Sequence, residues 1–280
     1  MHLELHRDPA SGRPRLELTG PVFQEDWQNE LVTAAANTAF GTMREQPTVA
    51  RAMELTRDAM AVASQLAEGF LARAPDGAVA CKAGCDHCCY QVVNVTPPEA
   101  LAIVDHLRTK LSEAELVRVV ARVAEAHERA RGLSSAERFS PEHPCPFLES
   151  AQCSIYEVRP LACRGMNSRD AVGCATSLRD PEARAAFLAN AQGGYSFIEP
   201  IRAFLAISAG LQICLSSVYQ LDMRPLDLTA AIHLLLSGAH SLPARWIAGQ
   251  MPFESARASD EASDARMREL SGMVAAAGQS

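Results

Sequence analysis

The sequence predicts a mainly α fold: a single helical domain interrupted by an irregular, cysteine-rich insert, with at most short β hairpins. Three observations point there. Apolar residues recur at three- and four-residue steps through most of the 280-residue chain, the spacing of one buried helix face. Strands do not alternate with helices, and no internal repeat is visible. Eight of the nine cysteines fall between residues 81 and 174, in a stretch broken by Pro and Gly.

The opening pair HLELH and RLELTG, split by RDPASGRP, alternates apolar and polar residues, which reads as a short hairpin or extended edge. From Asp26 the period becomes helical. DWQNELVTAAANTAFGTMREQ and TVARAMELTRDAMAVASQLAEGFLARA form two helices, with Pro47 and Thr48 at the break. Thr96 opens TPPEALAIVDHLRTKL with a hydroxyl cap, prolines in the first turn and Glu99. Ser112 and Glu115 are spaced as a capping box for the next helix. Residues 134–176 are short and proline-punctuated, and are expected to hold too few apolar residues to order themselves. Helix is expected again over roughly 181–192, 197–221, 226–239 and 259–277.

The expected organisation is a hairpin-like and helical region over 1–80, a cysteine-cluster region over 81–176, a C-terminal helical region over 177–258 and a polar helical tail over 259–280. All belong to one compact domain in this reading.

A composition of 48% hydrophobic and 21% charged residues is ordinary for a globular chain. The net charge of −7 argues against nucleic-acid binding, which needs a basic footprint, and suits a bound cation. MHLELHRDPASG lacks the apolar run of a secretory signal. Ala203 to Leu221 is uncharged for 19 residues, but Ser208, Gln212, Ser216, Ser217 and Gln220 would need partners in lipid. A buried core helix is expected there, no membrane span, and a cytoplasmic address. Thiols stay reduced in that compartment, so clustered cysteines point to metal or redox chemistry rather than to a disulfide framework.

The first group, CKAGCDHCC, places Cys81, Cys85, Cys88 and Cys89 at spacing C-x3-C-x2-C-C. The second, Cys145, Cys153, Cys163 and Cys174, has gaps of eight, ten and eleven. Thiolates are the ligands of zinc and of iron–sulfur iron. Two groups separated by two helices are what a metal needs to staple one part of a fold to another, so all eight are candidate ligands. Side chains of adjacent Cys88 and Cys89 diverge along the backbone; one enters a first site while the other joins a second or packs. The set admits two four-sulfur sites, or one cluster with spare cysteines. An all-sulfur shell suits four-thiolate zinc and a 4Fe–4S cluster alike. The second group has no paired C-x2-C knuckle, which favours the iron–sulfur cluster, with zinc as the alternative.

The first three cysteines also spell C-x3-C-x2-C, the spacing of radical S-adenosylmethionine enzymes. Those enzymes build a barrel of alternating strands and helices, which is missing here, and Cys89 and the second group would have no role.

Around the cysteines, Arg159 and Arg164 bracket Cys163 and are candidate hydrogen-bond donors to the sulfur cage, or members of surface ion pairs. His87 and His143 lie beside candidate ligands but read more readily as loop histidines. Tyr156 reads as packing. Asn167 and Asp170 are candidates to fix the loop and cap a short helix carrying Cys174. Cys214 and His233, on apolar helices, read as core residues. No nucleophile elbow, phosphate loop, dinucleotide fingerprint or zinc-protease motif is present, so catalytic residues are not indicated.

The arrangement resembles the YkgJ-type cysteine-cluster family, of CxxCxxCC type, described as zinc- or iron-chelating. The resemblance rests on Cys81, Cys85, Cys88 and Cys89, then Cys145-Pro146-Phe147-Leu148, then Cys153-Ser154-Ile155-Tyr156, Arg159-Pro160 and Cys163-Arg164. It implies chelation and little more. One branch resembles flagellin lysine N-methylases; against that activity, no glycine-rich loop for S-adenosylmethionine is visible. The expectation is a cytoplasmic metal-binding protein whose thiolates hold an iron–sulfur cluster in a redox, sensing or structural role. A zinc-stapled interaction protein, or an iron–sulfur enzyme such as a lysine N-methylase-like transferase, is the alternative. The sequence indicates no protein partner or substrate.

Overall fold

The computed structural model describes residues 3–9, 11–82, 84–190, 196–238 and 240–258. The expected tail helix over 259–277 lies outside them.

The first pair is the expected hairpin: β1 (Leu3–Arg7) runs antiparallel to β2 (Pro14–Leu18), with Leu5 opposite Leu16. It docks on α1 (Asp26–Met43) through Asn37, whose Oδ1 accepts the Leu16 N–H at 2.9 Å while its Nδ2 donates to the Leu16 carbonyl at 2.8 Å. Next comes α2 (Val49–Ala72), capped by the Thr48 hydroxyl, which accepts the Arg51 N–H at 3.2 Å. Its stripe of Ala52, Leu55, Ala59, Met60, Ala63 and Ala67 is buried, the helical period read from the sequence.

Beyond the first cysteine run lie β3 (Asn94–Val95), α3 (Pro97–Lys110) and α4 (Glu113–Ala130); α4 carries the expected capping box, and at α3 the expected Thr96 cap forms one with Glu99 as well. The insert follows, with α5 (Ser135–Arg138), β4 (Leu148–Glu149), β5 (Gln152–Cys153), α6 (Leu161–Gly165) and α7 (Ala171–Arg179). The chain returns through α8 (Pro181–Asn190), α9 (Ile198–Ser217), β6 (Leu226–Asp227), α10 (Leu228–Leu236) and α11 (Leu242–Ile247).

At the centre is α9. It is long and apolar enough to cross a membrane, yet 56% of its apolar window is buried inside the protein, against α1, α2 and α6. The α1 contact is close because Gly210 faces it: a Cβ there would lie 2.3 Å from the Val32 carbonyl oxygen. One contiguous apolar cluster runs from Leu16 to Ala256.

Two features escaped the sequence reading. β3 pairs with β6, Val95 opposite Leu226, and so ties the end of the first cysteine segment to the C-terminal helices. The insert also carries its own anchors. Phe139, Phe147, Ile155, Val158 and Leu161 are all buried, and the last four belong to the main cluster. The expectation that residues 134–176 are too poor in apolar side chains is therefore corrected. These five are scattered without a period, which hid them in the sequence, but four of them find slots in the helical body.

Candidate metal centre

Cysteine-bearing segments far apart in sequence are held together through the backbone. Ala80 donates its N–H to the Ser168 carbonyl at 2.7 Å, and the Ser168 N–H donates to Cys81 Sγ at 3.2 Å. The first cysteine is thereby pinned to the loop entering α7, which carries Cys174. Asp170 caps that helix, its Oδ1 accepting the Gly173 N–H at 2.8 Å. Asn167 ties the same loop to the start of α9. Its Nδ2 donates to the Phe197 carbonyl at 2.9 Å and its Oδ1 accepts the Phe197 N–H at 2.8 Å. Both residues play the parts expected of them.

On the other side, the Cys145 N–H donates to the Cys89 carbonyl at 2.7 Å and joins the second cysteine group to the first. The hairpin of β4 and β5 then places Cys153 opposite Leu148. Its turn residues Ser150 and Ala151 both adopt the left-handed conformation, at φ 48° and 60°. Two-residue hairpin turns require that geometry, and glycine or asparagine meets it more cheaply. Cys163 sits on α6, whose Leu161 N–H is accepted by Glu99 Oε1 at 2.9 Å. Glu99 was legible only as part of the cap of α3. Buried, it also accepts the Thr96 N–H and hydroxyl, both at 2.8 Å, and so locks two helix starts together.

All nine cysteines are free thiols. Cys81 and Cys88 are exposed, the other six of the two groups half-buried, and Cys214 fully buried on α9, as expected of a core thiol. The neighbourhoods of the eight clustered thiols are electrostatically distinct. Burial raises the Cys81 thiol; the Ser168 N–H opposes this, and Cys85, Cys88 and Cys174 add repulsion. Cys174 is raised by burial and by repulsion from Cys85, Asp170 and Cys88. Cys89 is pushed up because its S–H donates to Cys88, then by burial and by Cys88, Cys145 and Cys153. Burial lifts Cys145 to about 12 and holds Cys163 well above the usual thiol range, where Cys145, Cys88 and Cys153 add to it. Cys88 moves down, to about 7, because it accepts the Cys89 hydrogen bond and feels the Arg159 charge. Without a cation, then, crowding and burial hold most of these thiols protonated. A bound metal reverses that balance and deprotonates its ligands.

The two arginines differ. Arg164 is buried and spends its donors on the chain: Nε on the Arg159 carbonyl at 3.0 Å, one terminal nitrogen on the Glu157 carbonyl at 2.7 Å, the other on the Ser64 hydroxyl of α2. It clamps the turn before α6 to the helical body. Arg159 instead lies over the exposed Tyr156 ring at 4.3 Å, and its charge stabilises the thiolates of Cys88, Cys153 and Cys163. Its buried Nε has no hydrogen-bond acceptor among the described residues. A buried donor left open beside thiols fits a site meant to receive further sulfur or thiolate charge. His87 Nδ1 is likewise buried without a hydrogen-bond partner, 3.7 Å from Asp86. His143 lines a small cavity beside Cys145, with Arg138 and Tyr90. Among the described residues, no three His, Cys, Asp or Glu side chains converge on a single ion-sized point. The thiols are gathered but not drawn together.

Sequence reasoning missed Ser168, Ser64 and the second role of Glu99. Ser168 lies two residues before a recognisable cap, a faint signal; Ser64, mid-helix and 100 residues from Arg164, gives none.

Residues 80–181 match the model of the CxxCxxCC family, described as "Putative zinc- or iron-chelating domain". This is the family the cysteine pattern resembles, and the matched stretch takes in all eight clustered cysteines. No curated protein and no solved structure matches the chain.

Proposed function

We propose that the thiolates of the segment matching the chelating domain hold iron as an iron–sulfur cluster, of 4Fe–4S type, in a redox, sensing or structural role. The observation that carries chelation is that eight free thiols, from five separate stretches of chain, are gathered within the matched segment, where backbone hydrogen bonds tie Cys81 to the loop before α7 and Cys145 to Cys89. Irregular spacing in the second group supports iron–sulfur over zinc, since zinc sites commonly use paired C-x2-C knuckles. The open Nε of Arg159 supports it too, because hydrogen bonds to sulfur tune such centres. A bound cluster would supply one-electron chemistry; zinc would supply only a staple.

The protein's own contribution is positional. Cys81, Cys85, Cys88, Cys89, Cys145, Cys153, Cys163 and Cys174 offer the sulfur, and Arg159 offsets its negative charge. Arg164, Glu99 and Asn167 hold the loops in place. Free thiols throughout agree with a reducing compartment such as the cytoplasm. Zinc is the second reading, because the matching family description names both metals. Protein purified without oxygen and treated with a strong reductant decides between them. A broad visible absorption that bleaches on reduction supports the cluster; a colourless protein that does not change contradicts it.

A further inference from the structure

We infer that the outer edge of β1 pairs with the same edge of a second copy of this chain, antiparallel and in a register centred on Leu5. Neither the metal nor the cysteines take part.

The two edges of the hairpin differ. Asn37 satisfies both the N–H and the carbonyl of Leu16, so those groups point towards α1 and away from β1. Leu16 stands opposite Leu5. In an antiparallel ladder, opposed residues either exchange both their bonds or turn both away from each other. Leu5 therefore also turns its N–H and carbonyl outward, and the two-residue period of a strand does the same for Leu3 and Arg7. Pro14, opposite Arg7, fits this pattern, because its missing N–H falls where the ladder needs none. Through Asn37, α1 closes the edge of β2. The edge of β1 is open. It joins no further strand among the described residues, residues 4–7 are all exposed, and Leu5 is 64% exposed. No proline or bulge blunts it, two of the devices that keep such edges apart.

Its side chains select a second copy as the occupant. Pairing about Leu5 sets Glu4 opposite His6 of the second copy, twice by symmetry, at the non-hydrogen-bonded positions where side chains lie closest. The same contact already forms within one strand, His6 Nε2 lying 3.3 Å from Glu4 Oε2. Leu5 meets Leu5 at the two-fold axis, which covers the exposed apolar side chain and makes the contact self-complementary. Main-chain bonds run between the two Leu5 residues and between Leu3 and Arg7. The neighbouring registers are worse. Centring on Glu4 sets that carboxylate against its own copy, and centring on His6 sets Glu4 against Asp8; like charges directly opposite repel. A strand of five residues is a small interface, so the dimer forms and dissociates with concentration.

The test is sedimentation of the full-length protein from micromolar to near-millimolar concentration, with circular dichroism as the check on folding. The wild type is expected to move from the mass of one chain towards that of two. Leu5→Pro removes an N–H that serves only the outer edge, so it is expected to keep the hairpin and hold the protein monomeric. Glu4→Lys is expected to weaken the dimer about tenfold by removing both carboxylates from the joint, and Glu4→Lys with His6→Glu to restore it. A wild type that stays monomeric throughout overturns the inference, whether or not the edge takes up a strand of another protein. A dimer that Leu5→Pro and Glu4→Lys leave intact overturns it too. If Leu5→Pro fails to fold, loss with Glu4→Lys and recovery in the double variant support the inference, and their absence overturns it.

Discussion

At the scale of single residues, the core thiol was easier to read in the sequence than the difference between the two arginines. Cys214 was legible because it lies in an uncharged helical run, and it is fully buried on α9. Cys214→Ala should therefore leave metal content unchanged and cost only about 1 kcal/mol of packing. Cys81→Ala, Cys85→Ala, Cys88→Ala and Cys153→Ala should each lower metal content and melting temperature. Metal analysis beside thermal melts checks all five, and metal loss from Cys214→Ala would refute the division. Arg159 and Arg164 look equivalent in CSIYEVRPLACRG, because their partners come from other parts of the fold. Arg164→Met should leave two backbone carbonyls and the Ser64 hydroxyl without their donor and cost about 1–3 kcal/mol. Arg159→Met should leave the melt nearly unchanged yet shift the reduction potential, since its charge faces the thiols. Equal effects of the two on stability would contradict these roles.

At the scale of elements, long periodic segments with chemical caps were readable and short ones were not. Thr48, Thr96, Ser112 and Asp170 stand where their spacing put them. β3 and β6 have two residues each, and α11 has six. Those lengths are too short to display a period, so only tertiary contacts define them. Glycine shows the same limit. Gly210 costs helix propensity in α9 and gives no reason in the sequence; the structure supplies one in the close passage of α1. Gly210→Ala should destabilise by about 1–3 kcal/mol through overpacking, against the usual gain from replacing a helical glycine. Ala151→Gly should act in the opposite sense, stabilising the hairpin of Cys153 by up to about 1 kcal/mol by relieving its left-handed turn. Denaturant melts of both variants check the signs.

At the scale of the whole molecule, the helical body and the cysteine region are stabilised by different forces. The body has a continuous apolar cluster, and the second cysteine group is anchored to it by Phe147, Ile155, Val158 and Leu161. Among the described residues the first group has no such anchor: none from Cys81 to Tyr90 is buried. Ordering each residue of that run costs about 1–2 kcal/mol of backbone entropy, and metal–thiolate bonding, worth about 10–16 kcal/mol in small zinc domains, can offset it. The account therefore stands on the metal. Its most direct test is the iron, zinc and acid-labile sulfide content of the full chain, purified without oxygen from cells grown with ample iron. Iron and sulfide in near-equal amounts, with little zinc, is the predicted result; stoichiometric zinc without iron, or no bound metal at all, would contradict it.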